Sequence, residues 1–305
     1  MEAAIEVTDL QKTYRGRKTG EVRAVDGVSF RVETGEFFGI LGPNGAGKTT
    51  TMEIVEGLRR PDSGQVRLLG RSPWPHSPEL SRRMGAQLQS SSFFEFLTAR
   101  EQIETFAELY GVGRRRAAEM LDKVGLSHKA STRCLKLSGG QQQRLSIACA
   151  IVGDPELVFL DEPTAALDPQ ARRNLWDLMR SINAEGRTVV LTTHYMEEAE
   201  ALCDRVAIMD AGKILAVGSP AELISELDAP TRITVAVGQL SDERVEELAG
   251  GETVSVGEET VVFETHEPRR LLAALAAEGA MEGLAVRTAN LEDVFLHVTG
   301  REWRA

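Results

Sequence analysis

Gly42-Pro43-Asn44-Gly45-Ala46-Gly47-Lys48-Thr49 decides the fold of this 305-residue chain, together with Leu137-Ser138-Gly139-Gly140-Gln141 further along. The first stretch fits G-x-x-x-x-G-K-[ST], preceded by the apolar run Phe37-Phe38-Gly39-Ile40-Leu41 and followed by the helix-compatible Thr49 to Leu58. Strand, loop and helix is the context that a phosphate-binding loop requires. A plain glycine turn before a core helix is the alternative, and these flanks count against it.

A triphosphate is cradled by converging backbone N–H groups, so Gly42, Gly45 and Gly47 suit the loop because they carry no obstructing side chain. The helix that follows points its positive end at the phosphates. Lys48 supplies a point charge to the β- and γ-phosphates. The Thr49 hydroxyl is placed to ligate Mg²⁺. The nucleotide-binding set is therefore Gly42, Pro43, Asn44, Gly45, Ala46, Gly47, Lys48, Thr49 and Thr50, with ATP and Mg²⁺ as cofactors.

Leu157-Val158-Phe159-Leu160 is a continuous apolar run of the kind buried in a parallel sheet, and it ends in Asp161-Glu162-Pro163. Asp161 is the expected outer partner of the metal, and Glu162 faces the γ-phosphate to polarise an attacking water. An ordinary helix-capping turn would also carry two acids. The phosphate loop upstream favours the catalytic reading.

These motifs, with Leu137 to Arg144, the Ala166-Leu167-Asp168 turn and Thr192-Thr193-His194, stand in the order and spacing of the ATP-binding cassette (ABC) ATPases. The chain resembles that family from about Ile5 to Ile224. The resemblance implies that Ser138, Gly139, Gly140 and Gln141 bind the γ-phosphate of an ATP held by a second cassette, and that Asp168 belongs to a loop crossing the dimer interface. It implies that Tyr14 stacks on adenine and that His194 contacts the γ-phosphate. Family spacing selects Gln89 as the glutamine linking metal and attacking water to the partner, with Gln87 in reserve. Since the chain has one copy of each motif, a working unit needs two cassettes, as a homodimer or with a similar partner chain.

The same resemblance implies an α/β sandwich: a phosphate-loop core with an antiparallel β layer, a helical subdomain at about 90–150, and a nucleotide-binding domain ending near residue 224. After Gly218-Ser219-Pro220 the composition changes, and 225–305 reads as a small α+β accessory domain. Thr231 to Val237 alternates as a strand, Thr253–Val256 and Thr260–Phe263 form a hairpin, and Arg269 to Glu278 is helical. Thr98 to Gly125 reads as helical within the subdomain.

The run Leu191 to Glu200 and the near-terminal Leu291-Glu292-Asp293-Val294-Phe295-Leu296 look like the drug-resistance branch of ABC exporters. This implies an ATPase that drives multidrug- or antibiotic-type efflux through a separate membrane permease. Phe93, Phe94 and Phe96 form either a docking patch for that permease or a local core. No stretch approaches roughly 18 consecutive apolar residues. The start lacks the features of a secretory signal, so the expected location is the cytoplasm, peripheral on the inner face of the cell membrane.

Cys134, Cys149 and Cys203 have no metal-ligand spacing, and they suit a reducing compartment. The net charge of −11 opposes a general nucleic-acid surface. A soluble ABC protein of DNA repair or translation would need a long coiled-coil insertion or two cassettes in one chain. A non-catalytic ATP-dependent dimerisation switch would not need Glu162.

Overall fold

The computed structural model describes residues 3–16, 20–87 and 93–300. It divides into two compact units, one running to Pro220 and the other beginning at Ala221.

The first unit opens with β1 (Ala3–Gly16) and β2 (Gly20–Glu33), followed by β3 (Phe37–Leu41), α1 (Lys48–Val55) and β4 (Ser63–Leu68). β1 pairs antiparallel with β2 on one side and β4 on the other. Along β2, buried Val25, Val28, Phe30 and Val32 interleave with exposed neighbours, as a half-buried sheet requires. Phe30 stacks on Phe38 of β3 with ring centroids 5.4 Å apart, so this layer shares its core with the central sheet.

Next come α2 (Pro78–Arg82), β5 (Met84–Gln87), α3 (Ala99–Tyr110), α4 (Gly113–Lys123), α5 (Gly139–Ile151) and β6 (Leu157–Asp161). The unit continues through α6 (Pro169–Ala184), β7 (Thr188–Thr193), α7 (Met196–Leu202), β8 (Arg205–Asp210) and β9 (Lys213–Gly218). The central sheet has the order β5-β6-β7-β3-β8-β9, parallel except for β9. Every residue of β3, β6 and β7 is buried, which explains their unbroken apolar runs. Truncating the fully buried Phe159 to alanine would cost roughly 3–5 kcal/mol.

The helical stretch expected over Thr98 to Gly125 is two helices. Thr98 and Glu101 form a reciprocal cap at the start of α3, and Gly111 ends it at φ 74°, a left-handed conformation that glycine adopts without a Cβ penalty. Both helices pack on α5, which Ser138 caps.

The second unit opens within α8 (Pro220–Glu226) and contains β10 (Thr231–Ala236), α9 (Asp242–Ala249), β11 (Val254–Val256), β12 (Thr260–Thr265), α10 (Pro268–Ala277), β13 (Ala285–Arg287) and α11 (Leu291–Thr299). Its antiparallel sheet has the order β11-β12-β10-β13, and the β11–β12 hairpin pairs Val256 with Val261. Ile233, Val235, Val245, Val261, Phe263, Leu271 and Leu275 make a separate core. The Leu291 to Leu296 motif lies on α11, capped by Asn290 and Asp293.

Candidate nucleotide site

The parallel register builds the site. Leu41 of β3 lies opposite Thr193 of β7, and Asp161 of β6 lies opposite Thr192. The residues that leave these three adjacent strands, Gly42, Glu162 and His194, therefore emerge side by side at one sheet edge. The Gly42 N–H donates to the Thr193 carbonyl at 3.2 Å, stitching the phosphate loop to that edge.

Two glycines have no tolerated substitute here. A Cβ on Gly42 would stand 2.1 Å from the Met209 carbonyl oxygen. Gly47, at φ 103°, would place one 2.1 Å from the Ala24 carbonyl oxygen. Gly47 also caps α1, whose first residue is Lys48.

Lys48 is buried. Its Nζ donates to the carbonyls of Gly42 at 2.9 Å and Pro43 at 3.2 Å, and pairs with Glu162 Oε1 at 3.0 Å. The other Glu162 oxygen stands 3.4 Å from His194 Nδ1. Lys48, Glu162 and His194 thus form a continuous polar line.

Thr49 Oγ1 donates to Asp161 Oδ1 at 3.3 Å. The Thr192 hydroxyl donates to that same oxygen and accepts from the Glu162 N–H at 3.0 Å. Burial pushes the Asp161 carboxyl above its usual range, while the Thr192 and Thr49 hydroxyls oppose that shift. Thr192 consequently holds the Asp161 carboxylate and the Glu162 backbone. The Thr192-Thr193-His194 run carries it, but residue type alone did not reveal this function. Glu162 itself sits at φ 46°, so the chain turns sharply as it leaves β6.

Gln87 ends β5 and is buried, its Nε2 donating to the Asp161 carbonyl at 3.5 Å. Gln89 lies outside the described residues. Tyr14 is half-buried on β1 opposite Val22, and the Arg59 guanidinium lies 5.3 Å from its ring centroid. Arg59 is in turn held by Glu53 at 2.6 Å. The basic partner of Tyr14 follows α1 and has no spacing relation to Tyr14 in the sequence.

Ser138 caps α5. It accepts from the Gln141 N–H at 3.4 Å while its own N–H donates to Gln141 Oε1 at 3.0 Å. Ser138, Gly139, Gly140 and Gln141 line a pocket of about 370 Å³ with Ala166, Leu167 and Asp168. No phosphate-loop residue is among the described residues lining it. Asp168 caps α6, its Oδ1 accepting from the Ala171 N–H at 2.9 Å. Phe94 and Phe96 are 55% and 75% exposed, so these two rings are surface groups rather than local core.

The family model described as ABC transporter matches residues 25–165, and that of the nodulation factor export protein NodI, C-terminal domain, matches 241–300. The Nod factor export ATP-binding protein I of Ralstonia nicotianae is 39% identical over 98% of this chain and 95% of its own length. The protein of the same name from Cupriavidus metallidurans is 38% identical, with complete coverage of both. The chain belongs to the ABC transporter ATPase family.

Solved ABC cassettes share the fold of this ABC ATPase. A dimeric post-hydrolysis state of the ATP-binding cassette MJ0796, bound to ADP and Pi, superposes with a TM-score of 0.64 at 29% identity, covering 70% of this chain and 98% of its own. The cbiO1 cassette of Clostridium perfringens gives 0.65 at 26%, covering 74% and 92%. The protein is thus an ATP-binding enzyme of the ATP-hydrolysing type, built on an ABC cassette with a C-terminal addition. Among its described residues no helix is long and apolar enough to cross a membrane.

Proposed function

We propose that this ABC ATPase powers export of a substrate through a separate integral membrane permease, working as a dimer of cassettes on the inner face of the membrane. The observation that carries export is that the likeness to Nod factor export ATP-binding proteins runs through both units, with the NodI C-terminal model falling on the second. The resemblance of Leu291 to Leu296 to the drug-resistance branch supports a drug- or antibiotic-type cargo. The names of the relatives support a Nod-factor-type cargo. Stimulation of the assembled transporter's ATPase by one class and not the other separates them.

Within the site, the phosphate loop and the α1 N-terminus hold the β- and γ-phosphates, with Lys48 as the point charge. The adjacent oxygens of Thr49 and Asp161 suit a hard divalent cation, and Gln89 completes the assignment. Bound Mg²⁺ would supply neutralisation of phosphate charge. Glu162 accepts a proton from the attacking water and His194 orients it towards the γ-phosphate. Tyr14 stacks on adenine. Ser138 to Gln141 of the second cassette close the site, with Asp168 crossing between cassettes. ATP then favours the closed dimer because it binds that state more tightly.

The exposed Phe94 and Phe96 support a docking patch for the permease ahead of α3. The test is to isolate Glu162→Gln protein with ATP from gently solubilised membranes of its source. Co-recovery of a polytopic membrane protein is expected. Recovery with ribosomes or DNA alone would overturn the transport reading.

A further inference from the structure

Glu198, on α7, is fully buried four residues after His194 and takes no part in the chemistry assigned above. A carboxylate removed from water is costly unless its surroundings satisfy it. Its Oε1 accepts from Trp176 Nε1 at 2.9 Å, while Oε2 and the Thr164 hydroxyl are buried without a hydrogen-bond partner. Burial pushes the carboxyl above its ordinary range, opposed by the neighbouring Thr193 and Thr164 hydroxyls, Trp176 and the Arg172 charge. These neighbours come from three places that the proposed hydrolytic step needs in register. Thr193 immediately precedes His194, Thr164 follows Glu162 by two residues, and Arg172 and Trp176 share one face of α6, the helix that Asp168 caps.

A second line of contact runs beside the first. The Arg172 guanidinium lies 4.0 Å from the centroid of the Tyr195 ring, and that ring lies 4.1 Å from the His194 imidazole. The Tyr195 N–H donates to Thr193 Oγ1 at 2.9 Å, tightening the turn that presents the histidine. One face of α6 therefore meets the segment after His194 twice, through Arg172 against Tyr195 and through Trp176 bonded to Glu198.

We propose that Glu198 is a positioning residue that orients His194 against Glu162 by tying α7, which starts just after the histidine turn, to Trp176 of α6. It touches neither nucleotide nor water. Its contribution passes through His194, and the proposal rests on the reading of Glu162 and His194 as the hydrolytic pair.

Steady-state ATPase and ATP affinity of the full chain test it. Glu198→Ala is expected to lower kcat about tenfold or more while leaving ATP affinity within about twofold. Glu198→Gln keeps volume and an acceptor for the indole N–H, and should recover activity to within about threefold of wild type. In a His194→Ala background, Glu198→Ala should cause no further loss, because the residue through which it acts is gone.

Trp176→Phe removes the indole donor and keeps an aromatic ring, so it carries the same double-mutant test if Glu198→Ala does not fold. Its loss should also vanish in the His194→Ala background. An unchanged kcat, or an equal fold-loss with and without His194, would overturn the role of Glu198. Wild-type turnover by Glu162→Gln would instead remove the hydrolytic pair on which the proposal stands, so the two failures are distinguishable.

Discussion

Lys48 Nζ and Glu162 Oε1 stand 3.0 Å apart, both side chains buried, at the meeting of the phosphate loop and the end of β6. The same lysine also donates to two loop carbonyls, so its position does not depend on the glutamate alone. Removing the glutamate charge leaves the ammonium available to phosphate oxygens. Glu162→Gln should retain or tighten ATP binding while lowering hydrolysis by about a hundredfold or more. Calorimetric titration with ATP beside phosphate-release kinetics measures both. Wild-type turnover would take Glu162 out of the proton-accepting role.

The Ser138 cap faces the pocket shared with Asp168, among whose described lining residues the phosphate loop has no part. An arginine at 138 loses the cap and fills that pocket with a long cation. Ser138→Arg should leave ATP binding to the monomer intact and abolish the ATP-dependent dimer, with a helix-cap loss of about 1 kcal/mol. Sedimentation with ATP in a Glu162→Gln background reads the dimer. Its persistence would sink the two-cassette site.

At the end of α1, both carboxylate oxygens of Glu56 are buried without a hydrogen-bond partner. Burial, then the charges of Asp161 and Glu53, push its pKa up to about 8 from an ordinary 4.5. Between those values the folded protein retains a proton that the unfolded chain has released, so stability declines as pH rises from about 4.5 to about 8. Glu56→Gln should flatten this slope and gain on the order of 3 kcal/mol at pH 8 relative to its effect at pH 5. Urea unfolding at the two pH values measures it. The same difference from wild type at both would exclude titration of Glu56 as the cause.

Phe94 and Phe96 project from the surface ahead of α3. Replacing both with aspartate removes apolar contact area without opening a core cavity. Basal ATPase should stay within about twofold of wild type, while permease affinity falls at least about tenfold. Binding of the purified chain to permease-containing membranes, scored beside ATPase rate, distinguishes docking from catalysis.

The limits of sequence reading lie at particular residues. Gly85 to Gln89 offers two glutamines, and nothing local says that β5 ends with the first one buried against the Asp161 carbonyl. The apolar face of Thr98 to Gly125 is legible, but Gly111 can be tolerated within a helix or end it, and here its left-handed conformation ends α3. Thr192 looked like one residue of a buried strand. Only pairing of β6 with β7 brings it to both acids. Tyr14 and Arg59 meet because β1 and the segment after α1 pack in one unit, with no periodicity linking them.

The sequence by itself determined the local devices: the phosphate loop whose glycines admit no side chain, the apolar runs that become fully buried strands, and the change of composition near Pro220. These depend on conformations set by neighbours a few residues away. The tertiary structure decided what meets what. The order β6-β7-β3 brings Glu162, His194 and the phosphate loop to one sheet edge, where the Glu162 carboxylate meets both Lys48 and His194, and packing of α6 on α7 brings Trp176 to Glu198. The physical reason is that strand order and helix packing minimise exposed apolar surface and unsatisfied polar groups over the whole unit, a condition no single segment contains.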